Sequence, residues 1–305
     1  MNTTKKKTHV FLGMAIAMLS LTACSSDDLA PQTKETISLA TSLDGMRGTS
    51  NLQTTQLNSK VKVGVFGLAG TTILENGNNS QYTVSGSALT AVGSAMEWYK
   101  GSASLYAYAP YQTGWSYNQA NAFTVATDQS TDDGYLASDL VYGVPATNPV
   151  SQTTDAVVLN FKHVMARLTI NIQNETDIDL SGAQLVVANT KVSTTLNPST
   201  GAIGSATGDA TDVTVLATLG TATTAYAVLV PQAITAGTVL IRLTTSDKVL
   251  EVKVADDITF VSGKSYTFTA HIGSDAINSQ MGEDHATTPA NSRTFLFFNS
   301  INITL

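Results

Sequence analysis

The sequence predicts an all-β protein with two tandem β-sandwich domains behind a lipoprotein signal peptide. Thr, Ser, Ala, Val and Gly dominate the chain and only 13% of its residues are charged, a composition typical of extracellular β-proteins. Short runs of alternating apolar and polar residues are separated by clusters of Gly, Asn, Asp and Ser, at intervals typical of sandwiches. No stretch keeps a 3.6-residue apolar period between capping residues, so no helix is predicted.

The start of the chain predicts export and lipidation. Three lysines at residues 5–7 precede an apolar run at residues 10–19, which is typical of a secretory signal peptide and shorter than the ~20 residues that span a bilayer. The only cysteine, Cys24, ends a Leu-Thr-Ala-Cys sequence that resembles a bacterial lipobox. We predict removal of residues 1–23 and anchoring to the outer membrane through lipid on Cys24. An ordinary signal peptide with an incidental cysteine is the alternative.

Composition limits the possible partners and the number of domains of the mature protein. Without the first 23 residues, 13 basic and 23 acidic side chains remain, a net charge of −10. This balance argues against nucleic acid as a partner. The remaining length suits about two domains, and an apolar share of 43% is enough for hydrophobic cores.

The first predicted strand covers residues 37–43, where apolar residues recur at every second position. Residues 44–48 (Asp-Gly-Met-Arg-Gly) end it with turn residues. Residues 37–47 form the last part of a lipidated leader at residues 24–47. Further strands are predicted, in chain order, at residues 60–66, 82–84, 104–108, 123–126, 157–161, 164–172, 184–188, 213–216, 225–230, 239–243, 249–254 and 266–272. They are assigned to an N-terminal sandwich at residues 48–155 and a C-terminal sandwich at residues 156–272, with a boundary near Asp155.

Residues 273–305 are predicted to be a linker followed by one more strand. The linker is polar and rich in turn residues, and Asn299 is the one polar interruption in the apolar alternation that follows it. Left unpaired, such a strand would be an aggregation hazard. It is therefore predicted to be a donor that fills a groove in another subunit, or else the last strand of its own sandwich. Its alternating apolar residues are Phe295, Phe297, Ile301, Ile303 and Leu305.

The sequence predicts neither an enzyme nor a cofactor site. The mature histidines His163, His271 and His285 are isolated in sequence, which argues against a metal site. The sequence contains no Gly-x-Ser-x-Gly motif, and lipidated Cys24 cannot act as a nucleophile. No catalytic, cofactor-binding or metal-binding residue is therefore predicted. The aspartates at positions 128, 132, 133 and 139 favour a solvated acidic loop over a calcium site.

A stretch of five aromatic residues leaves a second function open. These residues could pack between strands or form a flat aromatic surface (a platform) that binds a glycan, and packing is favoured. The platform would belong to a monomeric, surface-exposed lipoprotein that binds glycan. The residues concerned are Tyr106, Tyr108, Tyr111, Trp115 and Tyr117.

Residues 161–170 (FKHVMARLTI) resemble the F-x-H-x-x-A-x-L-x-V stretch of the fimbrillin-like proteins of Bacteroidetes, the subunits of type V pili. The order of other motifs is similar as well: a lipobox, an arginine at position 47, a Gly-Val-Phe strand at 64–66, and a late strand at 266–269. The resemblance implies two transthyretin-like β-sandwiches and places His163 at the domain junction without a chemical role.

The resemblance also implies a structural subunit of a cell-surface pilus (fimbrium) that supports adhesion. An arginine-specific protease would cut between Arg47 and Gly48, detach the leader strand and open a groove for the strand of another subunit. The partners implied are other pilin subunits, the outer membrane through Cys24, this protease, and a receptor on a host or bacterial surface.

Overall fold

The computed structural model describes residues 35–44, 55–99, 101–217, 219, 222–274 and 294–304, and for Ala222, Ser274 and residues 294–304 it describes the backbone. Strands dominate these residues and the one helix among them is short. The predicted all-β fold class is therefore confirmed. From Glu35 onward the chain forms one compact unit, so its division into two tandem domains stays a prediction.

Nine strands form the first sheet, and the sheet closes on itself. Their bounds are β1 (Leu39–Asp44), β2 (Lys62–Ala69), β3 (Thr72–Ile73), β4 (Ser80–Ser85), β5 (Ala88–Ala91), β6 (Ser102–Ala109), β8 (Val141–Val144), β9 (Val150–Ser151) and β10 (Val157–His163). Their spatial order is β3-β2-β4-β5-β1-β10-β8-β6-β9, and β2 also pairs with β6. The seven strands from β2 to β6 in this order therefore form a closed ring. Alternate residues of β1 and β10 are buried and join one hydrophobic cluster with residues of the other strands.

Two four-stranded sheets enclose a second hydrophobic cluster. One contains β11 (Ala166–Asn174), β16 (Ala222–Leu229), β21 (Ser265–Ser274) and β22 (Thr294–Thr304), in the order β16-β11-β21-β22. The other contains β12 (Gln184–Thr190), β15 (Thr211–Thr214), β18 (Val239–Thr244) and β19 (Val249–Lys253), in the order β15-β12-β18-β19. Leu168 and Phe268 from the first sheet share this cluster with Leu185 and Ile241 from the second. This arrangement is a β-sandwich, with β22 lying beside β19 at one edge.

Two smaller sheets complete the described strands. In the first, β7 (Asn121–Thr124) pairs with β13 (Ser193–Asn197), which also pairs with β14 (Ala202–Ile203). This sheet links a segment between ring strands to the later part of the chain. In the second, β17 (Gln232–Ile234) pairs with β20 (Ile258–Phe260).

The chain passes from the first hydrophobic cluster to the second after Met165, about ten residues beyond the predicted boundary near Asp155. β10 follows Asp155 but pairs with β1 and β8 of the first sheet. Val164 and Met165 still belong to the first hydrophobic cluster, and Ala166 begins the second. The turn residues around Asp155 mark the end of a loop before a ring strand, so they do not mark a change of cluster.

Among the described residues the structure contains one helix, and it lies where the sequence predicts a solvated acidic loop. Helix α1 (Asp132–Ser138) is capped by Thr131, whose hydroxyl oxygen accepts a hydrogen bond from Gly134 N at 3.2 Å. Asp132 and Asp133 lie in its first turn, where negative charge favours the helix dipole. A threonine followed by two acidic residues is a helix-start signal, and it could have revealed this element.

Candidate functional site: the slot that holds β1

β1 occupies a slot between β5 and β10. It runs parallel to β10 over six residue pairs, from Leu39 opposite Val157 to Asp44 opposite Lys162. On its other side it pairs antiparallel with β5, with Leu39 opposite Leu89. β1 is thus an interior strand of the closed ring, although it is the first described strand of the chain.

The slot is apolar on the side that faces the hydrophobic cluster. Ile37, Leu39 and Leu43 are 2%, 4% and 6% exposed, and Thr41 between them is 5% exposed. The intervening residues are half-buried or exposed, as expected for a strand with one buried face. Burial of each of the three apolar side chains contributes roughly 1.5–3 kcal/mol before the ordering cost.

Backbone hydrogen bonds hold both edges of the segment that contains β1. Ile37 N donates to Met96 O at 2.8 Å, and Thr41 N donates to Ser87 O at 2.7 Å. On the other edge Val157 N donates to the carbonyl of Ser38 at 2.8 Å. Because these groups are bonded to β1, its removal would leave donors and acceptors unpaired along two strand edges.

Side chains add two polar contacts outside the buried face. The Ser42 hydroxyl donates to Oδ1 of Asn160 at 2.8 Å. The Gln152 amide donates to Oε2 of Glu35 at 2.8 Å. Both contacts join this part of the chain to residues more than 100 positions away, so residues 35–44 are fixed by long-range interactions.

β22 lies antiparallel to β21 of its own chain, from Ser265 opposite Thr304 to Ser274 opposite Thr294. The register shifts between Thr269, opposite Ser300, and Ala270, opposite Phe298, so Asn299 has no opposite residue. The shift divides the predicted alternation. On one side of it Ile301 and Ile303 lie opposite the buried residues Phe268 and Tyr266. On the other side Phe298 and Leu296, rather than Phe297 and Phe295, lie opposite the buried residues Ala270 and Ile272. The pairing itself does not test the predicted role as a donor to another subunit.

Several predicted site residues lie outside the described residues: Cys24, Arg47, Gly48 and Leu305. The sequence places Arg47 three positions after the end of β1.

His163 lies just before the point in the chain where the first hydrophobic cluster ends, at Met165, and the second begins, at Ala166. Its Nδ1 is 2.7 Å from Oδ1 of Asp139, and both side chains are almost fully buried. Next to it the Ser262 hydroxyl donates to the carbonyl of Val164 at 2.8 Å. The first contact ties the end of β10 to the residue that follows α1, and the second ties Val164 to the turn before β21. Both favour a structural role for His163.

The aromatic stretch is divided between buried and half-buried residues. Tyr108 and Trp115 stack at a centroid distance of 4.2 Å and are 0% and 8% exposed. The Tyr108 hydroxyl donates to Oδ1 of Asn79 at 2.6 Å, and burial raises the pKa of Tyr108. Tyr106 and Tyr117 form a separate tilted pair. The rings of Tyr108 and Trp115, which a glycan platform would need at the surface, are packed in the interior. This favours strand packing over glycan binding as the role of the aromatic stretch.

The four aspartates of the acidic stretch do not converge. Asp128 accepts a hydrogen bond from Ser130, Asp133 pairs with Lys60, and Asp139 pairs with His163. Among the described residues no group of three or more His, Cys, Asp or Glu could hold a metal ion. In the same part of the chain, no helix has the length and apolar character needed to cross a membrane.

Comparisons with known proteins identify the fold and the family. A crystal structure of a candidate cell adhesion protein from Bacteroides uniformis matches with a TM-score of 0.59 and 21% identity, covering 88% of this chain and 97% of that chain. A similar candidate from Bacteroides ovatus matches with a TM-score of 0.58 and 17% identity, covering 79% and 93%. The sequence matches no curated protein. Residues 49–283 match the fimbrillin-like family. Since this match covers most of the chain, the protein belongs to the fimbrillin-like family.

Proposed function

We propose that the chain is a structural subunit of a cell-surface pilus, exported as a lipoprotein precursor, cleaved after Arg47 and polymerised by strand exchange. Membership of the fimbrillin-like family supports a role in a fimbrium and favours a structural protein over an enzyme. The finer steps depend on the position of β1.

The observation that carries the proposal is that β1 is an interior strand of a closed ring and also the first described strand of the chain. Arg47 follows the end of β1, and the next strand, β2, begins at Lys62. A cut after Arg47 would therefore separate β1 from all later strands that the structure describes, and it would break none of these. Few interior strands of a sheet can be detached by a single cut, because most have chain connections to other strands on both sides.

Loss of β1 opens the ring at one place. The chain would expose the apolar slot together with the edges of β5 and β10, and such edges pair readily with another chain. A strand of a second subunit can satisfy the backbone groups, while its alternate side chains fill the slot. While β1 occupies the slot, the precursor cannot accept that strand.

The proposed donor is the segment that contains β22. Residues 275–293 separate it from β21, and when fully extended this stretch would span roughly 60 Å. That reach is several times the length of a six-residue strand. Because donor and slot are different parts of the same chain, each contact is head to tail, and a series of such contacts that does not close into a ring produces a filament.

The proposed partners follow from these steps. They are other pilin subunits, the outer membrane through lipid on Cys24, an arginine-specific protease, and a receptor on a host or bacterial surface that the filament contacts during adhesion. The alternative, a monomeric glycan-binding lipoprotein, is not favoured because Tyr108 and Trp115 are buried.

The test compares Arg47→Lys with Arg293→Lys, a matched substitution in the linker before β22. Both variants are produced in cells that export and process the chain, and the surface material is sheared off, separated on a denaturing gel without boiling and sequenced from its N-terminus. We expect ladders beginning at Gly48 from Arg293→Lys and from the unmodified chain. Arg47→Lys should give a monomer that retains the leader. Ladders from Arg47→Lys that begin at Cys24 would contradict the proposal.

A further inference from the structure

The segments around β1 and β22 share a pattern of residues. Residues 37–44 read I-S-L-A-T-S-L-D, and residues 295–302 read F-L-F-F-N-S-I-N. Aligned in this way, the four positions that the slot buries are apolar, apolar, polar and apolar in both segments. The polar position is Thr41 in the first segment and Asn299 in the second.

We propose that the strand of a second copy enters the slot parallel to β10, in the register that puts Asn299 at the position of Thr41. This inference rests on the proposed strand exchange and specifies its direction and register. The partner is thus a second copy of this chain, and Phe295, Phe297 and Ile301 take the positions of Ile37, Leu39 and Leu43.

The third position of the slot favours a polar residue. Thr41 is 5% exposed, and its hydroxyl lies 3.5 Å from the carbonyl oxygen of Ser87, to which its backbone N–H also donates. An asparagine amide can donate a hydrogen bond to such a carbonyl oxygen. Shifts of two residues would place an apolar residue there and move Asn299 to a position that the slot fills with leucine. The polar position therefore selects one register.

The outward face of β1 selects the direction. With Asn299 at position 41 and the strand parallel to β10, Ser300 takes the place of Ser42, whose hydroxyl bonds to Asn160. Asn302 takes the exposed place of Asp44, so the polar positions of the two segments coincide. In the opposite direction Phe298 would lie opposite Asn160, and the serine hydroxyl would be lost from that position.

Two further observations agree with this placement. Val158, opposite Ala40 in the parallel ladder, is 44% exposed, and the proposed register puts Phe298 in the place of Ala40. In its own chain, Asn299 is the residue at which the β21–β22 register shifts. The β1–β10 ladder runs through six consecutive pairs. Asn299, which interrupts pairing with β21, is thus the residue that the proposed register puts at the polar position of Thr41.

Disulfide trapping tests the register. The full chain carries Ser300→Cys with either Asn160→Cys or Val158→Cys, in a Cys24→Ser and Arg293→Lys background. The introduced cysteines are then the only thiols, and an arginine-specific protease does not cut just before the donor segment. Paired residues on neighbouring strands lie within the Cα separation of 4.4–6.8 Å that a disulfide requires. Each protein is cut after Arg47, allowed to assemble, mildly oxidised and analysed on non-reducing gels, while sedimentation measures assembly independently.

We expect a reducible ladder of three or more subunits from the Asn160→Cys pair, at least tenfold stronger than from the Val158→Cys pair. Ser300→Cys alone should give dimers at most. A ladder from the Val158→Cys pair, or filaments without any ladder, would overturn the register and leave the proposed function standing. A Thr269→Cys and Ser300→Cys control reports the pairing of β22 with its own β21. If this control forms its disulfide within one chain and no filaments sediment after cleavage, the proposed function fails as well.

Discussion

The hydroxyl of Ser42 donates a hydrogen bond of 2.8 Å to the side chain of Asn160, 118 positions further along the chain. The bond lies on the outward face of a six-pair parallel ladder, and the buried face of the two strands is apolar except at Thr41 and His163. β1 is therefore an integral part of the ring, and its contribution to the stability of the chain can be measured.

Truncation of Leu43 to alanine should destabilise the uncut chain. Leu43 is 6% exposed, and removing a buried leucine side chain costs about 2–5 kcal/mol. Urea unfolding measures the loss. Ser38→Ala, at an exposed position of the same segment, should leave the midpoint nearly unchanged, and equal effects of the two variants would contradict the buried position of β1.

Truncation after Asn291 should give a folded, soluble monomer that cannot polymerise. β22 lies at the edge of its sheet, next to β21, so the remaining strands keep their other neighbours. Circular dichroism and sedimentation after cleavage at Arg47 check the two parts of this prediction. A truncated chain that unfolds, or that still forms filaments, would show that residues 294–305 are not the donor.

Substitution of Cys24 by alanine should leave the precursor uncleaved or mislocalised. The thiol is the group that would carry the lipid, and stable anchoring by acyl chains needs more than one chain. Membrane fractionation with an antibody against the chain measures the change. Unchanged recovery in the outer membrane fraction would exclude Cys24 as the anchor.

Asp139→Ala should destabilise the chain by about 3 kcal/mol, because it leaves a buried His163 without its partner. Asp133→Ala is the matched control, since Asp133 and its partner Lys60 are both exposed. Thermal unfolding compares the two. Similar melting temperatures for both variants would contradict a structural role of the Asp139–His163 contact.

The free energy of unfolding should fall as the pH rises above 10. Burial raises the pKa of Tyr82, Tyr108 and Tyr142 above the ordinary value of 10.0. Above that pH the unfolded chain loses these protons and the folded chain keeps them, so the unfolded state is favoured. Absorbance near 295 nm should show these three hydroxyls ionising only with unfolding. Their ionisation in a chain that keeps its native circular dichroism would contradict this.

The sequence predicts the strand that contains Leu39 and Leu43, because their spacing depends only on local alternation. It does not predict that this strand lies inside a ring, because its partner β10 is more than 100 residues away and strand pairing is not encoded locally. Thr41 shows the same limit of sequence-based prediction. Its burial follows from the alternation, but its contact with the carbonyl of Ser87, 46 positions away, could not be predicted from the sequence.

The family could be predicted from the motif at residues 161–170, whereas the boundary placed near Asp155 separates β10 from the ring to which it belongs. Turn residues reveal where a strand ends, and the choice of sheet is made by distant contacts. The capping signal at Thr131 was present in the sequence, but a single helix of seven residues produces too short an apolar period to stand out.

The parallel pairing of β1 with β10 also has a consequence for biosynthesis. The ribosome makes β1 before any other strand of the ring, yet β1 cannot find its principal partner until Val157–His163 has been made. Ring closure therefore has to be a late event of folding, and contacts this distant in sequence are slow to form. Until β10 has been made, the ring stays open between β1 and β8, and β1 has only its two-residue pairing with β5.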